Sequence, residues 1–313
     1  MRAIVMRDFG GPDVLREEEV RAPAPRADHT LISVSLAGVS SVDAIERANN
    51  GGDFVSLPYT PGREVVGLSD TGRRVVALTD GGGYAQKVLA SSTACWDVHD
   101  DISDAQALAL LGNGNVAWHA LFTLAQVSRG ERIVVMQADG GPGAVALQLA
   151  VASGADVLAV ASSSAGRDVA LAMGARASVD ARDDDLADRI LDAAGGPVAA
   201  ALDFSGGLLL QSAAAALAER GRIAIYGPPS PVTRPVPMEH LLNQGITVSG
   251  FQLHHLAREG LGIALGMRTL YSVVRTGVLK LTDSQVYPLG DARMAHEDLE
   301  TGRGHLHLAL DPA

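Results

Sequence analysis

The chain has 313 residues, 47% of them hydrophobic, which is enough to bury a large core and long enough for two domains rather than one. A formal net charge of −11, with no Lys/Arg-rich block to offset it, argues against nucleic acid or an anionic membrane surface as a partner. Cys95 is the only cysteine, which excludes an intrachain disulfide framework and a multi-cysteine zinc site. With no signal-like start and no apolar run of about 18 residues, a cytoplasmic protein that does not enter the membrane is the expectation.

From residue 1 to about 112 the patterns are short and β-like, punctuated by Gly and Pro: RAIVM, TLISVSLAGVS, REVVGL, RRVVAL and YAQKVLA. From about 114 the character changes. VAWHALFTLAQV reads as an amphipathic helix, and apolar strands then alternate with helices: RIVVMQ with GAVALQLAVASG, DVLAVA with GRDVALAMG, ASVD with DDLADRILDAAG, VAAALDF with LLLQSAAAALAERG, and RIAIYG. Parallel strands need helical crossovers, so this series predicts a doubly wound parallel sheet, with ITVSGF at 246–251 as its sixth strand. GLGIALGMRTLYSVVRTGVL then reads as a helix, and VYPLG and HLHLAL as strands returning to the first domain. The fold class is therefore α/β: a Rossmann domain over 113–251 and a β-rich domain split between 1–112 and 252–313.

The turn after RIVVMQ carries chemistry. Ala138-Asp139-Gly140-Gly141-Pro142-Gly143 matches G-x-G-x-x-G at its second and third glycines, between a strand and a helix, where backbone N–H groups and the helix dipole hold a pyrophosphate. Pro142 removes one such N–H, and Asp139 brings a negative charge and can cap the helix with its own carboxylate. DVLAVA ends not in the acidic residue that reads a free ribose 2′-OH but in Ser162, Ser163 and Ser164, with Arg167 following. Hydroxyls plus a guanidinium suit the 2′-phosphate of NADP(H); a serine-capped strand-to-helix loop is the plain alternative.

MRAIVMRDFGGPDVL, LAGVSSVD at 36–43, PGREVVG at 61–67, GGGYAQKV at 81–88, AWHALF at 117–122, the glycine turn, ALDFSGG, GRIAIYG and the ending TGRGHLHLAL occur in the order seen in one family. Together they resemble the medium-chain dehydrogenase/reductase superfamily, specifically its zinc-independent quinone oxidoreductase branch with the enoyl and alkenal reductases. The resemblance implies a split GroES-like catalytic domain around a Rossmann domain, an active site in the cleft between them, a small-molecule substrate and a homodimer. It also implies NADPH as cofactor and no zinc: Ser40 stands near a Cys of the zinc-dependent relatives, and Gly62-Arg63-Glu64 replaces their Gly-His-Glu. Cofactor-binding residues carried over are Ala138, Gly140, Gly141, Pro142, Gly143, Ser162, Ser163 and Arg167, with Val116, Ser205, Tyr226 and Phe251 toward the nicotinamide. Ser40, Asp43, Tyr59 and Asn113 are expected to meet the substrate.

Several positions depart from the family pattern. Ser40 replaces a frequent Asn, Ile45 and Gly51 replace tyrosines, Val116 replaces a Thr, Gly166 a Lys and Ala181 a Tyr; the polar stretch Gly112-Asn113-Gly114-Asn115 reads as a loop. Hydride transfer to an activated C=C bond or a quinone is the leading expectation. A non-redox cyclase or isomerase and a non-catalytic ligand-binding relative are the alternatives. His254 and His255 could serve as acid or base, or be plain surface residues of a connecting helix. His305 and His307 share one face of the last strand and read as structural or exposed. Asp43 also suits helix capping, Glu64 reads as hydrogen-bonded structure, and nothing supports Ser40 as a nucleophile.

Overall fold

The computed structural model describes residues 1–49, 55–205, 207, 209–227, 235–258, 262–281, 283–302 and 307–313. The chain forms two compact units, one of Met1–Gly112, Ala257–Tyr271 and Leu281–Ala313, the other of Asn113–Leu256 and Ser272–Lys280.

In the first unit the short β-like patterns become β1 (Arg2–Val5), β2 (Arg16–Glu19), β3 (His29–Val39), β4 (Glu64–Ser69), β5 (Arg74–Leu78), β6 (Lys87–Ser91) and β7 (Cys95–Asp97). Helix α1 (Ser41–Ala48) follows β3, and α2 (Asp104–Ala109) follows β7. The second unit contains α3 (Asn115–Trp118), then β8 (Arg132–Met136), α4 (Gly141–Ser153), β9 (Asp156–Ala161), α5 (Ser164–Ala172), β10 (Ala177–Asp180), α6 (Leu186–Ala194), β11 (Val198–Asp203), α7 (Leu210–Ala215), β12 (Leu217–Ile225), α8 (Met238–Gln244) and β13 (Thr247–Gly250). Helices α9 (Leu253–Arg258) and α10 (Gly262–Arg275) precede the terminal β14 (Gln285–Pro288), α11 (Ala292–Thr301) and β15 (Leu308–Asp311).

Six parallel strands of the second unit lie in the order β10-β9-β8-β11-β12-β13, the doubly wound arrangement that alternating strands and crossovers dictate. Central β8 is apolar because both its faces are covered: Ile133, Val134, Val135 and Met136 have no exposed surface. On one side Val134 and Met136 meet Leu158, Val160, Ile190 and Ile223. Helix α4 is buried at every position from Gly143 to Ala150. Its amide Gln148 donates to the Lys280 carbonyl at 3.1 Å and accepts from the Lys280 N–H at 2.9 Å, which ties 272–280 to this unit.

The first unit's larger sheet runs β14-β15-β3-β4-β5-β7, with β6 also paired to β3. Its core gathers Ile32, Val65, Val75, Tyr84, Leu308 and Leu310. Gly67 is required where β4 crosses β3, since a Cβ there would come 2.0 Å from the Ser33 carbonyl oxygen.

Three local expectations change. The helix expected over LLLQSAAAALAERG stops at Ala215, because Leu217 pairs with Val198 and the chain bulges through Arg220, at φ 59°, before the register resumes at Arg222. Charged β2 and short β7 carry no apolar alternation to reveal them. The stretch expected as a Gly-Asn-Gly-Asn loop is helical: Leu110–Gly114 is a π-helical turn between α2 and α3, and His119–Leu124 is a second one. Such turns are concentrated at functional positions.

Candidate coenzyme and substrate sites

In a doubly wound sheet a ligand lies beyond the carboxyl ends of the strands, where strand order reverses. The ends of β8, β9, β11, β12 and β13 carry, in turn, the 138–143 turn, Ser162, Ser205, Tyr226 and Phe251, so these expected coenzyme residues share one edge of the sheet. Ala138 donates its N–H to Val160 at 2.8 Å, docking the turn on β9. The N-cap of α4 is Gly140, and no side chain caps the helix. Asp139 is therefore not the cap anticipated for it; Pro142 occupies the first turn, where its missing N–H breaks no helix bond. Gly143 permits the close approach of helix and turn, because a Cβ there would lie 2.2 Å from the Gln137 carbonyl oxygen. The uncapped, glycine-lined start of α4 fits a pyrophosphate.

Tyr226 and Phe251 pack with ring centroids 5.1 Å apart. Ser205 is pinned beside them: its N–H and hydroxyl both donate to Asp203 Oδ1, at 2.8 and 2.5 Å, and Tyr226 N–H donates to the Asp203 carbonyl at 2.9 Å. Asp203 has no exposed surface, and burial pushes its carboxyl above the usual range. Val116 is buried and Asn113 half-buried on the helical segment that follows α2.

The three residues expected to take a 2′-phosphate are already engaged. Ser162 gives both its backbone N–H and its hydroxyl to Asp139 Oδ2, each at 3.2 Å. Ser163 is the N-cap of α5, accepting from Gly166 N–H at 2.9 Å. Arg167 pairs with Asp180 at 2.8 Å, and Asp180 also receives Arg182 at 2.8 Å. The hydrogen-bonded Arg182 and the charge of Arg167 hold the Asp180 carboxyl well below its usual value. These side chains form a closed set with Asp139 and Asp180, not an open cationic pocket.

In the first unit, Ser40 is the N-cap of α1 and Asp43 its third residue. Asp43 Oδ2 accepts from the Ser40 N–H at 2.9 Å and hydroxyl at 2.7 Å, and Oδ1 from the Gly62 N–H at 3.0 Å. With 1% of its surface exposed, Asp43 serves the capping role and is not available as a base to a substrate. Burial, opposed by the Ser40 hydrogen bond, lifts its carboxyl to about 6.

Tyr59 donates to Glu46 Oε2 at 3.0 Å and lines a groove of about 450 Å³ with Pro58, Thr60, Gly81 and Lys87; neither Ser40 nor Asp43 reaches that groove. Glu46 also binds the Arg63 guanidinium at 2.6 Å. Behind them runs a buried polar chain. The Arg47 guanidinium donates to His296 Nδ1 at 2.9 Å, which leaves the proton on Nε2, 3.1 Å from the Tyr84 hydroxyl. Burial and the Arg47 charge hold His296 down to about 3, so it stays neutral.

Glu64 corrects the expectation of a hydrogen-bonded carboxylate. Among the described residues its carboxyl accepts no hydrogen bond, and it lies against Gly38 and Gly112, where added Cβ atoms would come 3.2 and 2.4 Å from Oε2. Burial and the Asp43 charge push it up to about 8. The sequence offers one signal for this: a Glu opening an apolar strand.

A profile described as zinc-binding dehydrogenase matches residues 141–260. The mouse quinone oxidoreductase is 29% identical over 97% of this chain and 95% of its own length. A mycobacterial protein solved in complex with NADPH superposes with a TM-score of 0.92 at 27% identity, covering both chains fully. The chain belongs to the medium-chain dehydrogenase/reductase superfamily, in its quinone oxidoreductase-like branch. The Thermus thermophilus quinone oxidoreductase, whose complex with NADPH is also solved, is a further superfamily structure at 28% identity and TM-score 0.88, covering 99% of this chain and 100% of that one. Within the superfamily, this chain's donor set does not fit a zinc ion at the Ser40–Arg63 position. Arg63 is itself a cation bound to Glu46, and the Ser40 hydroxyl is committed to Asp43.

His254 and His255 sit on α9 with ring centroids 4.3 Å apart, His255 exposed. His307 is buried, bonded to Ser284 at 2.9 Å, and pushed down to about 4 by burial, which is a structural role. His305 and Gly51 lie outside the described residues. Among the described residues, no helix is long and apolar enough to cross a membrane.

Proposed function

We propose that the protein is a metal-free oxidoreductase that delivers hydride from a reduced nicotinamide dinucleotide to an activated C=C bond or a quinone. The observation that carries this reading is the shared strand-end edge, where the uncapped start of α4 lies on the same side of the sheet as Ser205, Tyr226 and Phe251. NADPH in two superfamily relatives supports a nicotinamide coenzyme, and the quinone oxidoreductases among its relatives support the quinone arm.

A bound dinucleotide supplies the hydride; the residues of this chain position it. The N–H groups of the first turn of α4 hold the pyrophosphate, with Gly140 and Gly141 keeping the approach clear of side chains. Tyr226 and Phe251 present apolar ring surface to the nicotinamide end, and Asp203 keeps Ser205 in one rotamer beside them. Asn113, on its π-helical turn, is the polar group proposed to orient the substrate carbonyl. A homodimer is the proposed assembly, to be checked by solution mass.

Calorimetric titration with NADPH and NADH, followed by loss of the reduced-nicotinamide absorbance with enones and quinones, tests the reading. Micromolar binding and coenzyme-dependent turnover are expected. Binding of neither coenzyme at millimolar concentration overturns it, and turnover that survives complete removal of nicotinamide points to a non-redox enzyme on this fold.

A further inference from the structure

The position of the Asp139 carboxylate has a meaning beyond a lost phosphate contact. In doubly wound folds that bind NAD, an acidic residue at the end of the second strand accepts a hydrogen bond from the adenosine ribose 2′-OH, and the same charge repels a 2′-phosphate. Here the second strand, β9, ends without an acid, at Ala161, with Ser162 next. The carboxylate nevertheless arrives there from another element. Asp139, in the β8–α4 turn, is held at the end of β9 by both donors of Ser162, and packs so close to α5 that a Cβ on Gly166 would lie 2.6 Å from it. Those bonds use Oδ2; Oδ1 has no hydrogen-bond partner among the described residues.

The cations nearby do not restore a phosphate site. Arg167 and Arg182 both spend their charge on Asp180, so the two arginines and two aspartates around this strand end sum to zero. A 2′-phosphate would have to take Ser162 from Asp139, Gly166 N–H from Ser163 and Arg167 from Asp180. A free ribose hydroxyl needs only one acceptor, which Asp139 Oδ1 provides.

We infer that Asp139 is the coenzyme-discriminating residue, and that it makes this chain select NADH over NADPH. The inference rests on the proposed oxidoreductase reading and adds which dinucleotide the site takes. A like charge next to the bound phosphate amounts to about a tenfold loss of affinity under moderate screening, and a carboxylate-to-hydroxyl bond adds about as much in favour of NADH.

The test is the dissociation constant of NADH and of NADPH, by calorimetry, for the wild type and for Asp139→Asn and Asp139→Ser. The wild type should bind NADH at least about tenfold more tightly than NADPH. Both variants should narrow or reverse that ratio by weakening NADH and tightening NADPH. Wild-type preference for NADPH overturns the inference while leaving the oxidoreductase reading intact, as does a ratio unchanged by both substitutions. If neither dinucleotide binds the wild type, the oxidoreductase reading itself fails. The wild-type ratio decides the matter even if a variant does not fold.

Discussion

Replacing Glu64 by Gln should flatten the pH dependence of stability. The Glu64 carboxyl is pushed from an ordinary 4.5 up to about 8 by burial and by the Asp43 charge. Between those values the folded chain keeps a proton that the unfolded chain has released. Its contribution is therefore fully present below 4.5 and is lost as pH rises through about 8. At ~1.4 kcal/mol per pH unit the interval amounts to about 5 kcal/mol, comparable with the net stability of a domain. Gln keeps the shape and cannot ionise, so any packing cost it brings is the same at every pH. Urea unfolding of wild type and Glu64→Gln at about pH 5 and about pH 9 reads the difference directly. The variant should gain on the wild type by several kcal/mol between those two conditions. Parallel pH profiles would show that Glu64 ionises freely in the fold, and the account of an unpaired, half-buried carboxyl would be refuted.

Gly143→Ala should cost about 2–3 kcal/mol, because the Gln137 carbonyl 2.2 Å from the new Cβ is backbone and cannot turn away. Gly140→Ala, whose Cβ would come only within 3.3 Å, should cost less than about 1 kcal/mol in thermal melts. Arg47→Met should destabilise by about 3–5 kcal/mol, since it leaves Glu300 and His296 without their buried partner; equilibrium denaturation measures this. Gln148→Leu should cost about 2–3 kcal/mol by orphaning the Lys280 N–H and carbonyl, and faster amide exchange near Lys280 would mark the site.

The second unit was legible because its period changes are strong: apolar strands of about five residues separated by helices admit few arrangements. The glycine turn was legible for the same reason, by its place after β8. Partner choice was not. Ser162, Ser163 and Arg167 have the composition of a phosphate site, and nothing local shows that Asp139, 23 residues before Ser162, and Asp180 already occupy them. Asp43 could be seen as a cap because its partner Ser40 is three residues away; Glu64 could not be seen as unpaired, because that depends on Gly38 and Gly112 arriving from elsewhere. Contacts close in sequence were readable, and distant ones were read only by residue type.

The terminal strand β15 has a consequence for how the chain leaves the ribosome. It lies between β14 and β3, pairing with Ala37–Val39. Every described residue of the second unit precedes residue 281, so none of that unit depends on β15. The unit that begins at residue 1 must wait for residues 308–311, its β3 edge bare at Ala37–Val39 until β15 pairs there. Chains halted before residue 308 should therefore be more dependent on chaperones than chains that include β15.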